Sequence, residues 1–294
     1  MFQAADLTGK ETDLDSSDIV WMDGGRTHVG TDRPEIRFDG ESPRRQTTLR
    51  AFGISRFAVT VAEFARFIDE SGWMTSADRF GWSYVFRGLS EDATGPRPRD
   101  LPWWNAIDGA NWRCPAGPSG DRAPGNHPVT HVSHADAMAY AAWAGGRLAT
   151  EPEWEHAARG GSDNARYPWG DAEPDDDRNI FCNIWQGEFP DENTVRDGFY
   201  GTAPVDAFEP NPYGLFNMSG NVWEWCADRF RVRSVGKAAR VRNKQAIAER
   251  EHVLKGGSFL CHKSYCWRYR IAARSGRPGD TSACNSGFRL AFDA

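Results

Sequence analysis

The sequence predicts a single α+β domain, rich in ordered loops and poor in long regular elements. Three observations carry that expectation. The 294-residue chain shows no internal repeat and no low-complexity linker to divide it. It carries 13 Trp beside 30 Gly and 17 Pro, a mixture that punctuates the backbone and fills the irregular gaps between loops. Short strand patterns lie near both ends, with capped helices between them.

In chain order, residues 1–17 read as an N-terminal tail and 18–294 as the domain. A first strand is expected around Ile19 to Met22 and a second over Thr47 to Phe57. A helix then opens at Thr60, which forms a capping box with Glu63. Val61, Phe64, Ala65 and Ile68 repeat at helical spacing before Gly72. Ser90 to Pro128 is rich in Pro and Gly yet holds Trp103, Trp104 and Trp112, so it reads as an ordered surface loop of the kind that packs or lines a groove. A second helix starts at Ser133, with Asp136 three residues on, and stops at Gly145-Gly146. A third starts at Thr150, with Glu153 as box partner and Pro152 in the first turn, and ends at Gly160-Gly161. Arg229 to Arg250 carries eight Lys or Arg and reads as a solvated loop or helix, or as a docking surface for an acidic partner. Strands over Val253 to Ser258 and Gly287 to Phe292 close the domain, and terminal strands from both ends are expected to meet in one antiparallel arrangement.

Composition narrows the function classes. A net charge of −6 disfavours a nucleic-acid binder. No run approaches the roughly 18 apolar residues of a membrane helix. The first ten residues lack the charged and apolar regions of a secretory signal, so a cytoplasmic, monomeric protein is expected. In that compartment the six cysteines are read as free, catalytic or metal-binding rather than as a disulfide framework.

The most informative stretch is Lys255-Gly-Gly-Ser-Phe-Leu-Cys261-His-Lys-Ser-Tyr-Cys266-Trp-Arg-Tyr-Arg270. Five residues apart, the two sulfurs converge on one atom in neither a strand nor a helix, so convergence requires a turn between them. Spacing alone leaves three readings: unrelated buried cysteines, a redox disulfide, or a metal clip. Zinc usually takes four ligands, whereas two thiolates suit a soft ion, with Cu(I) the natural candidate. His262, Lys263 and Arg268 are the nearby cations able to favour thiolates. His127, His131 and His134 read as core or surface histidines around a helix start.

The run Cys261 to Arg274 resembles the active-site signature of formylglycine-generating enzymes, the sulfatase-modifying factors. The resemblance extends to Pro168-Trp-Gly-Asp171, Asn183-Ile-Trp-Gln-Gly-Glu-Phe-Pro190, Asp197 to Phe208, Asn217-Met-Ser-Gly-Asn-Val-Trp-Glu-Trp225 and Ser282 to Arg289. It implies a loop-rich fold related to the C-type-lectin-like folds. It also implies Cu(I) held by Cys261 and Cys266, O2 as co-substrate, and a client sulfatase whose Cys-x-Pro-x-Arg cysteine is oxidised to a thioaldehyde that hydrolyses to formylglycine. Ser258 and Trp223 match positions lining the oxygen and substrate pocket, and Asn285 a peptide-contacting one. Trp112 and Arg268 complete the candidate substrate contacts. Two structural Ca²⁺ sites are implied: Asn183, Ile184, Asp197 and Phe199, then Asn217, Gly220, Val222 and Glu224, with the apolar residues and Gly220 offering carbonyls. The disulfide cysteines of secreted relatives correspond to Ile271 and Leu290. Three regions depart from the family pattern: the basic stretch 229–250, the run Ser275 to Ser282, and Cys284, which could be inert, compete for copper or form an adventitious disulfide. The alternatives are a paralogue acting on another thiol and a non-catalytic binding module.

Overall fold

Capping boxes define three helices of the computed structural model, which describes residues 16–90 and 101–294. Thr60 Oγ1 accepts from Glu63 N and Glu63 Oε2 accepts from Thr60 N at 2.7 Å, opening the helix Val61–Ser71. Gly72 closes it in the left-handed region at φ 66°. The same reciprocal pair, Ser133 with Asp136 and Thr150 with Glu153, opens His134–Trp143 and Glu151–Arg159. A fourth box, Thr75 with Asp78, opens the five-residue helix Ser76–Phe80, too short for its periodicity to be read. The basic stretch includes a helix, Lys237–Ala248, anchored by buried Ala239 and Ala246 and by Asn243, whose amide group bonds the backbone N and O of Val232. The tail expected over 1–17 falls outside the described residues up to residue 15, as does 91–100 of the loop expected over Ser90 to Pro128. The described remainder of that loop contains the strand Trp104–Asp108, paired with Trp82–Phe86.

Strands from both ends do meet. Ile19–Met22, Phe52–Ser55, Leu290–Asp293 and Arg147–Leu148 form one antiparallel sheet in that order. A second sheet orders Ser275–Pro278, Glu251–Lys255, Trp223–Arg229 and Ser286–Gly287. Two expected strands are corrected. The run 47–57 is broken after Leu49: Arg45–Leu49 pairs with Gly25–Val29, while Phe52–Ser55, with Phe52 and Ile54 fully buried, joins the first sheet. The run 287–292 is likewise divided between both sheets. At that corner the Arg289 guanidinium makes a bidentate ion pair with Glu224 of the second sheet, both contacts 2.7 Å, and donates to the Ser55 carbonyl of the first. The strand expected over 253–258 is Glu251–Lys255, stopped by Gly256 and Gly257 at φ 88° and 72°. Those two glycines turn the chain into the cysteine loop.

Candidate active site

The cysteine loop closes on one carbonyl. The amides of Tyr265, Cys266 and Trp267 converge on His262 O at 2.8–3.0 Å, making the turn that the spacing demanded. Cys261 N donates to Ser258 O at 2.8 Å, and Trp267 sits at φ 42°. The two thiols are thereby brought close enough for each to shift the other's ionisation, both buried in one apolar cluster with Trp223 and Tyr269.

Of the three nearby cations only Arg268 reaches a thiol, with Nη1 3.8 Å from Cys266 Sγ. Its Nε donates to Asp39, so it is held between carboxylate and sulfur. His262 turns to Ser264 at 2.7 Å and Lys263 to Glu173 at 2.8 Å. Burial pushes the Cys266 thiol up, but the Cys261 thiol donating to it and the Arg268 guanidinium outweigh burial and bring it down to about 7. Cys261 is pushed well above the ordinary thiol value, first by burial and then by its bond to Cys266. The pair therefore offers a thiolate and a thiol at neutral pH, donors of the softness that Cu(I) selects.

A groove of about 230 Å³ is lined by Trp223, Asn285, Trp104, Tyr84, Leu254 and Arg277, among others. Asn285 Nδ2 donates to Ser258 Oγ at 2.9 Å and its carbonyl accepts from Trp223 N at 2.9 Å, so Ser258, Trp223 and Asn285 form one bonded unit. Trp112 lies elsewhere. It is buried and packs edge-on against Phe64 of the first helix, without lining the groove. Cys284 is buried with its sulfur accepting from Phe86 N at 3.4 Å and its thiol pushed up to about 12 by burial, which keeps it protonated at neutral pH. Tyr265 stacks on Phe189, centroids 4.1 Å apart, bracing the loop from outside. Asp39 and Tyr84 were not among the residues singled out from sequence, whereas Trp104 falls in the loop read as one that packs or lines a groove and Arg277 in the run Ser275 to Ser282 that departs from the family pattern. Asp39 had no local signal, since 229 positions separate it from Arg268.

The three histidines do not converge: His131 bonds Ser83 and the Pro115 carbonyl, His127 bonds Thr202, and His134 stacks on His252.

The calcium-type residues differ between the two sets. Asn183 Oδ1 and Asp197 Oδ2 are buried oxygens without a hydrogen-bond partner, and burial pushes the Asp197 carboxyl up to about 6. Orphaned hard oxygens of this kind fit a Ca²⁺ ion. In the second set Asn217 Oδ1 is orphaned too, but both Glu224 oxygens already accept from Arg289, and one also from Trp154 Nε1 at 2.7 Å. Its negative charge is largely neutralised.

Residues 4–294 match the family model described as a sulfatase-modifying factor enzyme 1-like domain. A formylglycine-generating enzyme of Thermomonospora curvata is 48% identical over 94% of this chain and 93% of its own length. A protein of Bos taurus named inactive C-alpha-formylglycine-generating enzyme 2 is 41% identical over 98% of this chain and 93% of its own. Among solved structures, PvdO from Pseudomonas aeruginosa has the same fold, with a TM-score of 0.64 at 21% identity over 94% of each chain.

Proposed function

This chain belongs to the sulfatase-modifying factor enzyme family, and from that premise we propose that it is an oxidase converting the cysteine of a client sulfatase's Cys-x-Pro-x-Arg segment into formylglycine, with Cu(I) and O2. The observation that carries the reading is the Cys261–Cys266 pair, in which the Cys261 thiol and then Arg268 favour a thiolate at Cys266.

Cu(I) held there would supply a site for the substrate sulfur and for reduction of O2. Cys266 and Cys261 are the two protein donors for the ion. Arg268 compensates the negative charge of the pair and is itself fixed by Asp39. The apolar cluster around both sulfurs excludes water and keeps a soft ion from competing hard ligands. Trp223 and Asn285 line the groove in which the client segment lies, and Ser258 holds the Asn285 amide in place. In the net reaction the substrate thiol loses its sulfur as hydrogen sulfide and its carbon becomes an aldehyde. Both oxygen atoms of O2 leave as water, the water that hydrolyses the thioaldehyde supplies the aldehyde oxygen, and an external thiol reductant supplies two electrons and two protons. Ca²⁺ is assigned a structural part, held first by Asn183, Asp197 and the Ile184 and Phe199 carbonyls.

The inactive relative favours a second reading, a non-catalytic member of the family. The two separate on copper. Competition against a chromophoric Cu(I) chelator should show one Cu(I) bound per chain, lost in Cys261→Ser and in Cys266→Ser, because a hydroxyl is a poor soft ligand. Binding that both variants retain would contradict the assignment.

A further inference from the structure

Four arginines lie between Cys266 and Ser282, at 268, 270, 274 and 277, and three are neutralised. Arg268 pairs with Asp39, Arg270 with Glu41 and Arg274 with Glu151. Arg277 is different. It is exposed, it makes no side-chain hydrogen bond or ion pair with a described residue, and it is the only charged residue among those lining the groove beside Trp223 and Asn285.

The backbone explains its placement. Ser275–Pro278 pairs antiparallel with Glu251–Lys255, Arg277 opposite His252. Alternation along a strand sends Ser275 and Arg277 to the groove and residue 276 the other way. At 276 only glycine is accommodated, since a Cβ would come within 2.1 Å of Glu251 Oε2 and 2.6 Å of the Phe230 ring. The register is thus pinned from behind, and Arg277 cannot be rotated into the core without breaking it. A lone guanidinium on the rim of an apolar groove is the complement of a carboxylate.

We propose that Arg277 is a specificity-determining residue, receiving an Asp or Glu side chain that the client polypeptide carries next to the cysteine being oxidised. This deepens the function proposed above and rests on the groove being the client site.

The test uses amidated peptides containing Cys-x-Pro-x-Arg, in which a single Asp is walked through the variable and flanking positions, each with an Asn control. KM and kcat are measured with copper-loaded full-length protein, and Kd by fluorescence anisotropy on matching peptides with Ser in place of the reactive Cys. At one or two neighbouring positions Asp should lower KM and Kd about two- to fivefold relative to Asn, the range of a solvent-facing ion pair. kcat should not follow, and the preference should shrink as salt is raised. Arg277→Gln should erase the preference, and Arg277→Glu should transfer it to Lys at the same position. Equal values for Asp and Asn at every position would overturn the inference, as would a preference that survives Arg277→Gln. An Arg277-dependent preference in Kd without turnover of any peptide would support the recognition and sink the oxidase reading. Oxidation of the neutral peptide with no effect of Asp would do the reverse.

Discussion

At Cys266 two opposing effects meet. Burial disfavours a thiolate, while the Cys261 thiol donating to it and the Arg268 guanidinium favour one, and the thiol lands at about 7. Removing the guanidinium should let burial win. In apo Arg268→Gln, the pH midpoint of thiolate absorbance, or of alkylation by iodoacetamide, should move upward toward the ordinary thiol range. An unmoved midpoint would show that Arg268 does not poise the pair. At this scale the sequence was informative about which residues matter and weak on their partners. The five-residue cysteine spacing demanded a turn, and the turn is present. That Arg268 rather than His262 or Lys263 faces the sulfur depends on Asp39, brought alongside from 229 positions away. Trp112, aromatic and set in a loop, was singled out with the substrate contacts, and the structure shows it buried and packed on Phe64.

Among the elements, helix starts were the most legible, because a capping box is settled by residues three apart. Thr150→Ala removes one such box at the start of Glu151–Arg159, whose side chains hold Lys255 and Arg274, and should cost about 1 kcal/mol of unfolding free energy in urea titrations. Strand ends were less legible. A run of strand-type residues does not say where the chain leaves one sheet for another, and at both 47–57 and 287–292 the change of sheet is made by tertiary packing. Loops carry the hard oxygens. Among the calcium-type residues, Asn183 and Asp197 are the pair with orphaned oxygens and a carboxylate free of any guanidinium. Calcium at about a hundred times its Kd should add about 2.7 kcal/mol and raise the melting midpoint by several degrees. Asp197→Ala should abolish most of that gain. A gain that Asp197→Ala leaves intact would move the dominant site to the Asn217 set.

Across the whole molecule, one joint and one stack tie distant segments together. Arg289 joins the sheets, and truncating it to Ala would leave Glu224 buried against Trp154 alone. That should cost about 3–5 kcal/mol, read from the shift in denaturant midpoint. The His134 and His252 rings lie 3.5 Å apart, one from a helix start and one from a strand. Burial first, then the neighbouring imidazole for His134 and Arg229 for His252, depresses them to about 3 and about 4. The unfolded chain takes up these protons near 6.5 and the folded chain does not, so the stability they lend is full above 6.5 and is lost as pH falls toward 4. Between about pH 7 and about pH 4.5, His252→Asn should lose less stability than the unsubstituted protein in urea titrations, and equal losses would remove the pair from the acid response. Such a contact between residues 134 and 252 left no trace in the sequence. Among the described residues no helix is long and apolar enough to cross a membrane.

The most direct measurement is mass spectrometry of a Cys-x-Pro-x-Arg peptide after incubation with copper-loaded protein, a thiol reductant and air. The account predicts a product lighter by the difference between a thiol-bearing methylene and an aldehyde group, captured by a hydrazide and absent when Cys266→Ser replaces the enzyme. A peptide that stays unchanged beside protein with Cu(I) fully bound would contradict it.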